Sequence, residues 1–405
     1  MRDQEINKLI KTEAKRQKRV INLIASENYV SKDVLAALGS GLVNKYAEGY
    51  PGARYYGGNQ VVDEVETLVK KRSLKLFGLS GTRWAMNVQA LSGSPANLAA
   101  YTALVPLGGK IMAMKLDHGG HLTHGHKVSL TGKVWDFVHY GVGEGSERLD
   151  YEMLMEMAKK EKPRLIVAGF TAYSRKIDFK KFREIADAVG AYLMVDMSHF
   201  AGLVAGRAYP PPFKYADVVT TTTHKTLRGP RAALIFSRKV SIKHLKRAPG
   251  LHELIDKAVF PGLQGGPHLN QIAAVGVALK EAMAPEFKKY AEQVVKNAKV
   301  LAGELARLGW RVVSGGTDSH LLLLDVWNGG DPSTSLGQPL TGHEASERLE
   351  EAGIIVNKNT IPFDTRSPRD PSGIRLGTAA ETTRGKKEAD MVKIAHKIDK
   401  VLRSI

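Results

Sequence analysis

The chain has 405 residues, of which 43% are hydrophobic and 25% charged, a balance typical of a globular protein large enough for two domains. It contains no cysteine, which excludes disulfides, thiolate metal sites and cysteine nucleophiles, and no other metal-ligand spacing is evident. Lysine and arginine exceed aspartate and glutamate by 18 (59 against 41), which makes polyanions candidate partners, but no sequence motif of specific nucleic-acid binding accompanies this charge.

The first 80 residues predict helices around a polar loop. Residues 1–10 carry acidic side chains and no hydrophobic signal core, and no apolar run approaches the length of a membrane span, so we expect a cytoplasmic protein without a membrane partner. Residues 11–19 are typical of a solvated helix face. Residues 31–39 and 61–77 have apolar side chains at helical spacing, and they bracket a loop rich in Gly and Tyr.

From Trp84 onward, helical patterns alternate with short apolar strands. This alternation predicts a largely parallel sheet covered by helices, with strands at 111–114, 165–168, 192–195, 218–223 and 232–236. A helix at 271–284 and a long amphipathic segment at 285–308 are then expected. A smaller α+β region follows, with strands near 311–313 and 321–326 and a surface loop at 328–341. The predicted domains are an N-terminal arm (1–30), a large domain (31–270) and a small C-terminal domain (271–405).

Lys225 lies where a strand gives way to a loop. The β-branched run at 218–223 favours a strand, and ligands of open α/β sheets gather at the carboxyl ends of such strands. Cationic neighbours such as His224, Arg228 and Arg231 would lower the pKa of a desolvated lysine, so that its free amine attacks a carbonyl. An isolated loop lysine is more often solvated, so the position alone leaves both interpretations open.

Two upstream stretches supply the other supports that pyridoxal phosphate requires from a protein. Asp196 ends an apolar strand and is a candidate partner for the pyridine nitrogen, although an Asx turn explains it equally well. Ser92, Gly93 and Ser94 precede an alanine-rich helical pattern, with Pro95 in the first turn. Free N–H groups at a helix start bind phosphate, but an ordinary serine N-cap is the simpler interpretation of this stretch alone.

The order of these features, and several further motifs, resemble one enzyme family. The stretch Thr220-Thr221-Thr222-Thr223-His224-Lys225-Thr226-Leu227 closely resembles the cofactor-lysine motif of serine hydroxymethyltransferase, also called glycine hydroxymethyltransferase. Other matching stretches occur across nearly the whole chain, at 23–29, 44–52, 54–58, 119–125, 260–267 and 372–378. The resemblance implies an α/β enzyme of the aspartate-aminotransferase-like fold, with a mostly parallel, seven-stranded sheet in the large domain and a smaller α+β C-terminal domain.

The resemblance also implies a reaction. Members of this family reversibly convert L-serine and a tetrahydrofolate-type carrier into glycine and the methylene-carrier, through pyridoxal phosphate aldimine and quinonoid intermediates. The carrier is tetrahydrofolate or a modified pterin, and the protein is expected to be a homodimer with shared active sites, or a tetramer. Two alternatives are a folate-independent threonine or β-hydroxy-amino-acid aldolase, and a binding protein that holds RNA by its charge. The Tyr46–Glu48–Tyr56 loop argues against the aldolase.

Cofactor roles follow residue by residue from the resemblance. Lys225 is expected to form the internal aldimine, Asp196 to hold the protonated pyridine nitrogen, and His121 to stack on the ring. His199 is expected to hydrogen-bond near the phenolic oxygen. The remaining cofactor-binding residues are Ser92, Gly93, Ser94, Thr171, Thr222 and His224, with Gly265 and Gly266 contributed by the partner subunit.

The resemblance likewise implies the substrate contacts. Arg375 is expected to grip the amino-acid carboxylate through a two-pronged bond, with Ser26 nearby. Glu48 is the acid–base candidate, Tyr46 lines the same pocket, and Tyr56 is expected to reach the carboxylate across the dimer interface. The pterin is expected near Leu116, Gly120, Leu122 and Asn359. Pro95 departs from the family's usual polar residue and lacks a backbone donor for phosphate.

Overall fold

A computed structural model describes residues 2–239, 250–327 and 340–404. These residues form two compact units, a larger one of residues 28–292 and a smaller one of residues 2–27 with 293–404. The sequence predicted domain boundaries at residues 30 and 270, and these boundaries stay a prediction. Helix Leu269–Ala282 packs on helices Lys32–Leu38 and Gln60–Leu76, and is thereby part of the larger unit. The apolar spacing of this helix predicts that it packs on other elements, but not to which of the two domains it belongs.

The helices of the larger unit confirm the predictions for residues 31–39, 61–77 and 271–284. Three of these helices begin at a side chain that accepts backbone N–H groups: Ser31, Asp150 and Asp178. The hydroxyl of Ser31, for example, accepts from Val34 N at 3.1 Å. The α-helices are Lys32–Leu38, Gln60–Leu76, Gly93–Leu104, Leu130–Val134, Tyr151–Glu161, Phe179–Val189, Ala201–Ala205, Leu251–Lys257 and Leu269–Ala282.

A seven-stranded sheet forms the centre of the larger unit. Its strands in chain order are β1 (Trp84–Asn87), β2 (Lys110–Met114), β3 (Asp136–Tyr140), β4 (Leu165–Gly169), β5 (Tyr192–Asp196), β6 (Val218–Thr222) and β7 (Ala233–Arg238). Their order in the sheet is β1-β7-β6-β5-β4-β2-β3, and only β7 runs antiparallel to its neighbours. The expected fold class is confirmed.

Burial explains which strands the sequence revealed. All five residues of β4, β5 and β6 are buried, because helices cover both faces of the sheet, and such strands appear as continuous apolar or β-branched runs. Of the seven strands in this sheet, β1 and β3 were not predicted. Strand β3 is an edge strand with the mixed sequence Asp-Phe-Val-His-Tyr and only one buried residue, so it lacks that signal.

The smaller unit has an antiparallel four-stranded sheet. Its strands are β8 (Arg311–Val312), β9 (Leu321–Asp325), β10 (Asn357–Asn359) and β11 (Gly373–Gly377), in the order β8-β9-β11-β10. Its helices are Gln4–Arg19, Gly342–Glu351, Ala379–Thr383 and Glu388–Arg403, together with the later turns of Pro285–Arg307, which begins in the larger unit. The predicted strands at 311–313 and 321–326 and the helix at 285–308 are confirmed.

The N-terminal segment belongs to this smaller unit. The short strand Ile21–Asn22 pairs in parallel with Ile354–Ile355, and Leu23 is fully buried in the core of the smaller unit beside Leu322 and Ile374. Of the predicted loop at 328–341, residues 328–339 lie outside the described residues. No helix among the described residues is long and apolar enough to cross a membrane.

Candidate active site

Asp196 and Lys225 follow neighbouring parallel strands at the same edge of the sheet. Asp196 is the last residue of β5 and lies opposite Thr220 of β6, and Lys225 comes three residues after β6 ends. The carboxyl ends of parallel strands are where α/β sheets collect ligands. Lys225 is only 8% exposed and Asp196 only 7%. The alternative of a solvated surface lysine is therefore wrong.

The polar partners of Asp196 stabilise its carboxylate in the ionised form. Asn97 Nδ2 donates to its Oδ2 at 2.9 Å, Ser198 N donates to its Oδ1 at 3.0 Å, and His124 Nε2 lies 3.5 Å from Oδ2. Burial by itself raises the pKa of Asp196, but these partners outweigh burial and hold the pKa well below its usual range. A buried carboxylate with this charge suits a protonated pyridine nitrogen.

His121 lies in a loop that follows β2 and contacts the partners of Asp196. Its Nδ1 lies 2.7 Å from the hydroxyl of Thr123, and its backbone N donates to Nδ1 of His124 at 3.2 Å. The rings of His121 and His124 meet edge to face, with centroids 6.0 Å apart. Through Thr123 the loop thus connects His121 to Asn97 by two hydrogen bonds, and to Asp196 by a third.

Two glycines allow this loop to pass close to the sheet. Gly119 has a φ of 111°, in the left-handed region, and a Cβ on Gly120 would lie 2.1 Å from the carbonyl oxygen of Met114. The hydroxyl of Thr171 donates to Gly120 O at 2.8 Å. Of the residues expected near a pterin, Leu116 begins the short helical turn Leu116–His118, and Leu122 is 46% exposed.

The start of helix Gly93–Leu104 is where the phosphate cradle is expected. Ser92 occupies the N-cap position, but its hydroxyl makes no capping hydrogen bond, so it does not act as an ordinary serine cap. A Cβ on Gly93 would lie 2.7 Å from Thr222 Cγ2 at the end of β6. The first turn therefore opens beside the strand that leads to Lys225, with N–H groups available for an anion.

The backbone around Lys225 is held by hydrogen bonds between side chains and carbonyl oxygens. Asn28 Nδ2 donates to Lys225 O at 2.9 Å and to the hydroxyl of Tyr290 at 2.8 Å. Thr226 Oγ1 donates to the carbonyl oxygen of His199 at 2.8 Å, so the loops after β5 and β6 are joined. These contacts fix the backbone on which the lysine side chain is mounted.

The protonation state of His224 differs from the one that the sequence predicted. Burial, and next the positive charges of Lys225 and Arg231, lower its pKa to about 3. The imidazole is therefore neutral at physiological pH, and the expectation that His224 is a cationic neighbour of Lys225 is wrong. Arg228 is positioned by stacking over Tyr290, with its guanidinium carbon 4.3 Å from the ring centroid.

The Tyr-rich loop forms a second cluster in the larger unit. The hydroxyl of Tyr46 donates to Glu48 Oε1 at 3.0 Å, which raises the pKa of the Tyr46 hydroxyl, and the Tyr46 and Tyr56 rings meet edge to face at 5.0 Å. Tyr46 and Tyr56 are about half exposed. A Cβ on Gly265 would lie 3.1 Å from Glu48 Oε1, and one on Gly266 would lie 3.2 Å from the Tyr46 ring. The loop and the two glycines therefore form one patch on the same chain.

Arg54 fastens this loop. Its guanidinium donates to the carbonyl oxygens of Ala47 and Gly49, at 2.9 and 2.5 Å, on either side of Glu48. It also donates to Asp63 Oδ1 at 2.9 Å and Glu66 Oε2 at 2.7 Å, both on helix Gln60–Leu76. The backbone on both sides of Glu48 is thus held by Arg54, in addition to the hydrogen bond that the Glu48 carboxylate accepts from Tyr46.

Three predicted substrate residues lie in the smaller unit. Arg375 is in the middle of β11, where its Nε donates to Asn357 Oδ1 at 3.1 Å, and burial lowers its pKa to about 10, so it stays charged at neutral pH. Ser26 follows the segment that packs against Gly377 of the same strand. Asn359 ends β10, where its amide donates to Thr360 O at 2.6 Å.

Sequence reasoning missed several residues that organise the site. Asn97, Thr123, His124 and Ser198 are all buried and hydrogen-bonded around Asp196 and His121. Asn97 lies five residues after Ser92 in the predicted phosphate stretch, and His124 lies in the glycine- and histidine-rich motif at 119–125. A polar side chain inside an apolar helical pattern was the available signal for Asn97.

The described parts of the chain hold no group of three or more His, Asp or Glu side chains arranged for a metal ion. The residues present do fit pyridoxal phosphate, because they combine a buried lysine, a buried ionised carboxylate and a helix start lined by a glycine. A family model for serine hydroxymethyltransferase matches residues 1–398.

Proposed function

The chain belongs to the serine hydroxymethyltransferase family, and from this premise we propose that Lys225, Asp196 and the start of helix Gly93–Leu104 form its cofactor site. The protein interconverts L-serine and glycine, with pyridoxal phosphate as cofactor and tetrahydrofolate as cosubstrate. The family match does not favour the folate-independent aldolase. Pyridoxal phosphate, when bound, supplies the electron sink for the charge released at the substrate Cα.

The observation that carries the site assignment is the pairing of a buried lysine with a buried ionised carboxylate at adjacent strand ends. Asp196 has partners that stabilise its charge, so it can hold the pyridine nitrogen in its protonated form. Lys225 is shielded from water at the end of the next strand and would hold the cofactor through Nζ.

The anion-binding groups of the proposed site are backbone donors and one guanidinium. The N–H groups at Ser92, Gly93 and Ser94 would bind the cofactor phosphate, while Pro95, the third residue of the helix, has no N–H to offer. Arg375 would bind the substrate carboxylate, with Ser26 in the same unit. His121 would stack on the pyridine ring, and Thr171, His199, Thr222 and His224 would complete the cofactor contacts.

Glu48 would move the proton exchanged with the serine hydroxyl. Its carboxylate accepts from the Tyr46 hydroxyl, so a proton can be held or released at Oε1 without moving the backbone. Leu116, Gly120, Leu122 and Asn359 would contact the pterin ring. The half-exposed rings of Tyr46 and Tyr56 leave one side of this pocket to be closed by another surface.

We propose that a second copy of the chain supplies that surface in a cytoplasmic homodimer. Several large hydrophobic side chains are exposed in the N-terminal part of the larger unit, and an interface there would bury them. They are Leu35, Val43, Tyr46, Tyr55, Tyr56, Val61 and Leu68. The Tyr46–Tyr56 loop lies against Gly265 and Gly266 of the same chain. In a symmetric dimer, this patch as a whole would reach the partner's active site, in line with the family resemblance.

Reduction of the purified holoenzyme with borohydride, followed by peptide mapping, tests the cofactor site. We expect the label on Lys225, and a label on any other lysine contradicts the assignment. Serine cleavage is then measured with and without tetrahydrofolate. Strong dependence on tetrahydrofolate is expected, and cleavage that proceeds equally well without it contradicts the proposed role of the Glu48 pocket.

A further inference from the structure

Asn97 uses every hydrogen-bonding group of its side chain. The residue is 1% exposed, and its Nδ2 donates to Thr123 Oγ1 and to Asp196 Oδ2, each at 2.9 Å. Its Oδ1 accepts from the hydroxyl of Thr220 at 2.8 Å. The amide orientation is determined by chemistry, because an ionised carboxylate can only accept and must therefore face the NH₂ group.

The direction of each hydrogen bond then follows along the chain of contacts. The Asn97 NH₂ group can only donate, so Thr123 Oγ1 accepts from it and keeps its own proton free for the neighbouring Nδ1 of His121, 2.7 Å away. The backbone N–H of Thr123 also donates to His121 Nδ1, at 3.1 Å. Two donors converge on one ring nitrogen, which must therefore carry a lone pair rather than a proton.

We propose that Asn97 is a positioning residue that holds His121 in the neutral tautomer protonated at Nε2 and at the same time orients the carboxylate of Asp196. His124 follows the same logic: its Nδ1 accepts the His121 backbone N–H, so its ring proton lies on Nε2, toward Asp196 Oδ2. Asn97 thus acts on His121 through Thr123 and on Asp196 directly, while the His121 backbone N–H determines the tautomer of His124.

This inference rests on the proposed function and deepens it. A charged imidazolium on the cofactor ring would oppose a positive charge on the pyridine nitrogen, whereas a neutral imidazole does not. Asn97 therefore favours the protonated pyridine in two ways, by keeping His121 neutral and by presenting Asp196 Oδ2. Its effect is exerted through these two residues, since Asn97 itself is enclosed by Thr123, Asp196 and Thr220.

Nitrogen-15 NMR of the full chain, labelled at histidine and assigned by comparison with His121→Gln, tests the tautomer directly. Spectra are recorded with and without pyridoxal phosphate. In the wild-type protein we expect an unprotonated Nδ1 and a protonated Nε2 on His121. A proton on Nδ1 of wild-type His121 overturns the proposal. Because the cofactor-free spectrum needs no activity, this outcome is independent of whether the protein converts serine.

Variants separate positioning from simple packing. In Asn97→Asp, Thr123 would donate its hydroxyl proton to the new carboxylate, which leaves the Thr123 backbone N–H as the only one of the two donors at His121 Nδ1. The Nδ1-protonated tautomer of His121 should then become populated, and pyridoxal phosphate affinity should fall roughly tenfold or more. In Thr123→Val a mixture of His121 tautomers is expected, while Thr123→Ser, which keeps the hydroxyl, should retain the wild-type spectrum and affinity. If Asn97→Asp does not fold, the Val and Ser pair decides. Unchanged tautomers in Asn97→Asp or Thr123→Val refute the role.

Discussion

Replacement of Arg54 by lysine tests whether the loop that carries Glu48 is held by a guanidinium fork. Arg54 makes four hydrogen bonds with side-chain and backbone acceptors, and its side chain is only 4% exposed. Lysine keeps the positive charge but presents one ammonium group in place of a planar fork. It can remain near Glu66, which is fully buried, but it cannot also span the carbonyl oxygens of Ala47 and Gly49.

The magnitude follows from the lost contacts. Two or more hydrogen bonds worth about 1 to 1.5 kcal/mol each are removed, so the loop should open about 2 to 3 kcal/mol more easily. Amide exchange at Gly52, which donates to Asp63, and at Tyr55, which donates to Glu48 O, should then accelerate roughly 30-fold to 150-fold. We expect kcat to fall as Glu48 loses its fixed position, while the cofactor remains on Lys225.

Hydrogen exchange by mass spectrometry measures the opening, and steady-state assays with serine and tetrahydrofolate measure kcat. Arg16→Lys is the matched control, because Arg16 also makes a forked pair with a glutamate, Glu13, but both side chains are 48% exposed. Exposed pairs contribute at most about 1 kcal/mol, so this variant should behave as wild type. Exchange at Gly52 and Tyr55 that stays within about twofold of wild type in Arg54→Lys would falsify the clamp.

Four further predictions concern the charges and the assembly. Asp196→Asn should reduce proton exchange at glycine Cα roughly 100-fold or more, measured by deuterium incorporation; near-normal exchange means that another residue sets the pyridine charge. Glu48→Gln should still bind serine but lose roughly 10²-fold to 10⁴-fold in tetrahydrofolate-dependent turnover, and lost serine binding would indicate a structural role. Refolding Lys225→Ala with Tyr56→Phe should restore roughly a quarter of wild-type activity, since about half the dimers are mixed and each has one intact site; no recovery in verified heterodimers places both residues in one subunit's site. His224 has its pKa lowered from 6.5 to about 3 in the folded chain, so the unfolded state binds the proton first and stability falls below pH 6.5. Between pH 7.5 and 5.5 the wild type should lose about 1 kcal/mol more than His224→Asn, and equal losses in urea titrations contradict this.

The sequence by itself determined those strands that are buried along their whole length. Strands β4, β5 and β6 are buried on both faces, so their apolar or β-branched runs predicted them. The order of the stretch at Ser92, Asp196 and Lys225 predicted a pyridoxal phosphate site. Lys225 and Asp196 were identifiable because strand ends are where ligands gather and because the surrounding motifs resemble one family. Edge strand β3 and the polar strand β10 carry no such pattern, and only pairing with their neighbours makes them strands.

Only the tertiary structure determined which side chains are charged and which groups they bond to. Whether His224 is charged depends on burial and on the charges of Lys225 and Arg231, and the sequence shows their proximity but not the loss of solvent. Asn97 lies 99 positions from Asp196 and 123 from Thr220, yet it bonds to both. A residue's identity determines how many hydrogen bonds it can donate and accept, whereas its partners are chosen by the packing of distant segments. The ionised Asp196 and the clamp on the Glu48 loop are products of that packing.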